Sequence, residues 1–214
     1  MGHTGKQLDQ KTNILNAAFR ALRQHGLPHL SYDTIAKEAD LSRQVVRYHF
    51  KDADTLMVAL SEYLAAGYRD SLVSVVMQAK GEQRLNLFID YFLNIRPDFS
   101  KPEDDAVFDA LFALATGSQP VRNALREQYT LLGQVLTHEF MLQYPHLPSS
   151  AAEELSFLFI SMMEGHWKMV ATLGFSEDHK HITRQAMERL IDSYTNNHEK
   201  NGPLDRIWKQ SPEG

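Results

Sequence analysis

Apolar residues recur at three- and four-residue spacing along most of the 214-residue chain, with no stretch of the strict alternation that marks a strand. Ile14, Leu15, Ala18 and Leu22 share one face, with Phe19 beside them, which predicts a helix over residues 10–25 closed by His25-Gly26. Pro28 sets a short extended link. Ser31 can then cap a short helix, Tyr32–Ala39, whose Ile35, Ala36 and Ala39 point inward. Asp40-Leu41-Ser42 forms a turn plugged by Leu41. Ser42 caps a second short helix over 43–48, with Val45 and Val46 inward and Arg43, Gln44, Arg47 and Tyr48 outward; Phe50 returns to the core.

Asp52 or Asp54 starts a long helix carrying Leu56, Val58, Ala59, Leu60, Tyr63 and Leu64 as far as about Met77, a lever from head to body. Lys80-Gly81 breaks it. A helix over 82–95 (Leu85, Phe88, Ile89, Phe92) ends at Arg96-Pro97, since proline disfavours helical backbone at the residue before it. Glu103, Asp104 and Asp105 suit the first turn of another, whose stripe is Val107, Phe108, Leu111, Phe112 and Leu114. Residues 121–144 read as a long amphipathic helix stopped by Pro145 and Pro148. Ser149 or Ser150 caps a helix over 151–173 that is apolar on too many sides for one core. Leu155, Leu158, Phe159, Met162, His166 and Met169 form one stripe; Phe157, Ile160, Trp167 and Ala171 lie off it, so one face is expected against a partner chain. Gly174 closes that helix, and Ser176-Glu177-Asp178 opens the last one, with Ile182, Ala186, Leu190, Ile191 and Tyr194. Residues beyond 196 are polar, although Leu204, Ile207 and Trp208 can dock back. The reading is all-α: a three-helix head over 8–52, a helical body over 53–198 and a polar tail over 199–214.

Composition narrows the function. The absence of cysteine excludes disulfides and thiolate metal sites. No apolar run approaches the roughly 18 residues of a membrane span, and residues 1–10 are too polar for a signal peptide, so a cytoplasmic location is expected. The net charge of −5 is uneven: residues 1–50 hold seven Lys/Arg against four acids, or +3, leaving −8 on the remainder. A basic head on an acidic body suits one face meeting phosphate.

Two capped short helices joined by a tight turn, the second presenting arginine, amide and phenol groups, form a helix-turn-helix suited to phosphates and base edges. The block resembles the DNA-binding domain of the TetR family of transcriptional regulators through Ile35-Ala36-x-x-Ala39-x-Leu41-Ser42, Tyr48-His49-Phe50 and Leu56, and more loosely through Ile14-Leu15-x-Ala17-Ala18-x-x-Leu22 and His25-Gly26. The resemblance implies DNA contact by Ser31, Thr34, Lys37, Ser42, Arg43, Gln44, Arg47, Tyr48, His49 and Lys51. It also implies a homodimer on a pseudo-palindromic operator. Gln44 suits adenine, Arg43 or Arg47 suits guanine, and Tyr48 and His49 fall where the family meets backbone phosphate. The chain departs from the family's habits at Asp40 (often Gly), Gln44 (often small), Arg47 (often Tyr) and Ala53 (often Lys), which leaves the operator sequence open.

The body is rich in aromatics and methionines, which allows an apolar cavity for a small effector. The family places its effector pocket among the middle helices, and Phe88, Phe92, Phe108, Phe112, Tyr129, His138, Met163, His166 and Trp167 are the candidates, with Glu164 as a further polar group. Gly165-x-Trp167 resembles a segment of the choline/betaine-responsive branch. Leu155, Leu158, Phe159, Met162, Leu190, Ile191 and Tyr194 are the candidate dimer interface. The ten histidines lack metal-ligand spacing, no cofactor is implied, and no Gly-x-Ser-x-Gly, phosphate loop or HExxH is present, so no enzyme is expected. The expected function is a DNA-binding regulator, a repressor released by a small apolar or amphipathic effector. A TetR-like protein whose output is a protein partner is the alternative.

Overall fold

The computed structural model describes residues 2–78, 84–98, 101–196 and 207–208. Among these the chain is helical throughout, with α1 (Gly2–His25), α2 (Tyr32–Ala39), α3 (Arg43–His49), α4 (Ala53–Gln78), α5 (Arg84–Phe92), α6 (Asp105–Ala115), α7 (Gln119–Gln143), α8 (Ser149–Trp167) and α9 (Lys180–Asn196). The expected break at Lys80-Gly81 and the docking of Leu204 lie outside the described residues.

Two compact units form. Unit 1 comprises 1–67 and 103–126, and unit 2 comprises 68–102 and 127–214. The head is therefore larger than the 8–52 expected from the pattern: it keeps the first half of α4 and takes in α6 and the start of α7. α6 packs on α1, and its Val107, Ala110 and Leu111 are buried, as are Ile14, Leu22, Ile35, Val46, Phe50 and Leu60 of the same unit. The Arg23 guanidinium pairs with Glu103 in front of α6.

Local chemistry sets the turn of the helix-turn-helix. Ser31 Oγ accepts the Thr34 amide at 3.1 Å and Ser42 Oγ accepts the Val45 amide at 3.3 Å, so both capping residues act as read from the pattern. α2 ends in a left-handed residue, Asp40 (φ 53), and the Leu41 amide reaches back to Ala36 O at 2.9 Å. From α1, Asn13 Nδ2 donates to Ala39 O and Arg20 Nη2 to Glu38 O, each at 2.9 Å, so the last carbonyls of α2 are satisfied by side chains. Arg20 and Arg23 are thereby structural. A left-handed backbone strains any residue with a Cβ, aspartate less than most. Asp40→Gly is expected to raise stability by up to about 1 kcal/mol and Asp40→Val to lower it by about 1–2 kcal/mol, read from urea midpoints.

Several boundaries differ from the pattern. The link through Pro28 is a 3-10 turn, Leu27–His29, rather than extended chain. α5 stops at Phe92, short of Arg96-Pro97, because Asn94 turns left-handed (φ 52). Asp52 caps α4, its Oδ1 taking the Thr55 amide at 2.7 Å. α8 is preceded by Pro148, and neither Ser149 nor Ser150 caps it; the Ala152 amide bonds Pro148 O at 3.0 Å. Its C-terminal end widens into a π turn, Lys168–Thr172, before Gly174 (φ 75) closes it.

Unit 2 is built on Phe88, Ile89, Phe92, Leu136, Phe140, Leu155, Phe159, Met163, Met187 and Ile191, all buried. The buried face of α8 is Ala152, Leu155, Ser156, Phe159, Ile160, Met163 and His166. The expected stripe is thus rotated: Ile160 is inside, whereas Met169 is 53% exposed. This corrects the expected dimer interface. Leu155, Phe159 and Ile191 are core residues of one chain, spent on α8–α9 packing and closed to a partner. Leu158, Met162 and Leu190 are half-buried. The Tyr194 phenol donates to Glu154 Oε2 at 2.8 Å, and burial together with that carboxylate pushes its pKa up to about 12. Ile182, read as inward-facing, is 60% exposed.

Candidate nucleic-acid interface

α3 has seven residues, about 10 Å of helix, which fits a major groove about 12 Å wide. Val46 alone is fully buried; Val45 is half-buried and Arg43, Gln44, Arg47 and Tyr48 are exposed. One face anchors the helix while the other presents two guanidiniums, an amide and a phenol to solvent. The Tyr48 side chain is 72% exposed, an unusual position for a phenol unless it meets something polar and extended.

The exposed groups are held in place from behind. Arg43 Nη1 pairs with Asp33 Oδ2 of α2 at 3.1 Å. The Arg47 guanidinium lies over the Tyr32 ring at 6.0 Å, and the Tyr32 hydroxyl donates to Phe50 O at 3.0 Å. The Tyr48 ring meets His49 edge-on, 5.2 Å between centroids. Ser31, Lys37, Ser42 and Lys51 are exposed around this face. Thr34 is half-buried, its hydroxyl donating to His29 O at 3.1 Å.

His49 sits apart from the other candidates. It is half-buried, with Nε2 3.3 Å from Gln10 Oε1 of α1. Burial, with a smaller contribution from Lys11, pulls its pKa below the ordinary 6.5. The folded head therefore binds this proton less readily than the unfolded chain does. The resulting stability is complete above pH 6.5 and is lost as pH falls through the lowered folded value. Lowering the pH from 7.5 to 5 is expected to cost the wild type more in melting temperature than it costs His49→Gln.

The N-terminus of α4 is less available to phosphate than its dipole suggests. The Thr55 amide already bonds Asp52, whose pKa that bond depresses, and Asp54 and Glu62 join Asp52 along an open groove reaching Pro120. Lys51, one residue earlier, is the cation nearest in sequence.

The effector candidates divide between the units. Phe108 and Phe112 belong to unit 1 and are half-buried. Phe88, Phe92, Met163 and His166 are buried in unit 2, and Tyr129 and Trp167 are half-buried there; His138 is exposed on α7. Around Trp167 the polar groups converge: its indole N–H donates to Phe92 O at 2.9 Å, and the Lys101 ammonium lies 4.2 Å from its ring centre. The His166 ring lies edge-on at 5.0 Å. The Tyr129 hydroxyl donates to Glu164 Oε1 at 2.6 Å. Lys101 is not among the effector candidates that the sequence offers, because nothing local ties it to a tryptophan 66 positions later.

Residues 14–60 match the family model described as bacterial regulatory proteins, tetR family. Over 178 residues the chain is 21% identical to the HTH-type transcriptional regulator BetI of Escherichia coli, covering 81% of this chain and 88% of that one. The TetR transcription regulator of Haloarcula marismortui superposes with a TM-score of 0.74 at 22% identity, covering 87% of this chain and 98% of that one. A transcriptional regulator from Saccharomonospora viridis, in complex with choline, gives 0.70 at 18% identity over 86% and 96%. The two structural likenesses establish the fold. The family model spans α1 to the first turns of α4, and together with the likeness to BetI over most of the chain it supports a DNA-binding transcriptional regulator of TetR type.

Proposed function

We propose that this regulator is a cytoplasmic repressor that binds a pseudo-palindromic operator as a homodimer and leaves it when a small amphipathic molecule occupies unit 2. The observation that carries the DNA half is the outward set Arg43, Gln44, Arg47 and Tyr48 on a helix whose opposite face is locked by Val46. Two such heads read half-sites about 34–36 Å apart, or a multiple of that. α4 begins in unit 1 and ends in unit 2, as does α7, so these two helices are the segments through which a change in unit 2 reaches the head.

For the effector, the Lys101 ammonium over Trp167 is the telling contact: the ring face already accepts a cation. A quaternary ammonium compound such as choline, which the Saccharomonospora viridis regulator holds, would compete with Lys101 for that face. Such a ligand shifts the protein off DNA only by its preference for the released form over the bound one.

The test is binding to the chain's own upstream DNA by fluorescence anisotropy, with choline and betaine titrated in. Operator affinity is expected to fall as choline saturates, and Lys101→Ala to sharpen that response. Operator affinity unchanged at saturating choline would remove this effector class.

A further inference from the structure

The middle of α7 contains a glycine, a residue that costs a helix interior about 1 kcal/mol relative to alanine. Gly133 is buried, and a Cβ built there would fall within the indole of Trp208, against Cε2, Cδ2 and Cζ2. These are atoms of the ring body, which cannot swing aside as the end of a flexible side chain can. The same indole donates its N–H to Ser156 Oγ on α8 at 2.8 Å. Ser156 is fully buried, lies 2.9 Å from Thr137 Oγ1 and donates to Glu153 O at 2.7 Å. Two further bonds hold the backbone around the ring: the Ile207 amide donates to Glu153 Oε2 at 3.3 Å, and Gln134 Nε2 donates to Trp208 O at 3.5 Å. The ring of Phe157, otherwise an exposed phenylalanine, lies 6.0 Å from the indole.

We propose that the α7–α8 groove floored by Gly133 and Ser156 is a docking site for one tryptophan, and that its occupant is the chain's own Ile207-Trp208. The docked segment is a latch that can be released. The slot has shape (a missing Cβ), a directed acceptor (a buried hydroxyl aimed at the indole N–H) and an acidic side chain for the preceding amide. A glycine kept at a cost to its own helix, with a buried serine facing it, matches a receptor surface better than general packing. Ten residues separate α9 from Ile207 and can span at most about 33–36 Å, enough to return the tail to unit 2 of the same chain.

The test exploits opposing effects. Gly133→Ala improves helix propensity yet fills the slot, so the variant is expected to melt no lower than the wild type by more than a degree or two while its tail is released. Limited trypsin digestion with mass readout of cleavage after Arg206 reports the latch: Gly133→Ala and Trp208→Ala are expected to be cut at least ten times faster than the wild type, and Ser156→Ala at an intermediate rate. Equal rates in the wild type and Gly133→Ala would overturn the proposal. Protection that is independent of protein concentration supports docking within one chain; protection lost on dilution would overturn that assignment and give the slot to the tail of a second copy.

Discussion

Arg43→Ala/Gln44→Ala is expected to bind operator about 30- to 10⁴-fold more weakly than the wild type. Each well-placed bidentate contact to a base contributes about 1–3 kcal/mol of discrimination, and two residues are removed. Both side chains are exposed, and Val46, which anchors α3, is untouched, so the thermal melt should stay within a degree or two. The loss has two parts that salt separates. Gln44 carries no charge, and its removal should flatten preference among operator variants without altering the salt slope. Arg43 carries a charge, and its removal should also reduce that slope by about one unit if the guanidinium reaches phosphate. The Asp33 carboxylate complicates Arg43: at 3.1 Å it neutralises part of the charge in the free protein while holding the side chain near its place of work. Asp33→Asn should therefore strengthen non-specific binding at low salt. A double variant that binds as tightly as its parent would mean that α3 is not the reading helix.

The head was legible because its signals are local. Serine at positions 31 and 42 must lie just before a helix to satisfy its first amides, and the apolar spacing between those caps leaves one choice of face. The structure returns α2 with both bounds unchanged and α3 one residue longer. Unit membership was not legible. Phe108 and Phe112 have the same spacing and chemistry as Phe88 and Phe92, yet the first pair lies in the unit of the head and the second in unit 2. Amphipathicity says that a stripe is buried, not against what. The tail slot was half legible. The pattern lets Leu204, Ile207 and Trp208 dock back, but nothing local to Gly133 tells which residue meets it across α7.

Phe159→Ala is expected to cost about 3–5 kcal/mol, the range for removing a fully buried phenylalanine ring, and enough to unfold a marginal unit at 37 °C. Phe159 is 0% exposed and packs edge-on to Phe92 at 6.1 Å, within the core shared by α5, α8 and α9. The same helix supplies its own control for rotation. The sequence pattern puts Leu158 on the stripe given to a partner chain and Ile160 off it; the structure has Ile160 5% exposed and Leu158 half-buried. Ile160→Ala should therefore cost about 2–4 kcal/mol, and Leu158→Ala clearly less in the isolated chain. The same pair also tests whether the Leu158 side of α8 meets a second copy. If Leu158 and Met162 cover a second copy, Leu158→Ala should weaken association while leaving the denaturant midpoint of the dissociated chain nearly unchanged, a separation visible when the midpoint is measured across protein concentration. A larger loss for Leu158→Ala than for Ile160→Ala in the dissociated chain would overturn this facing of α8.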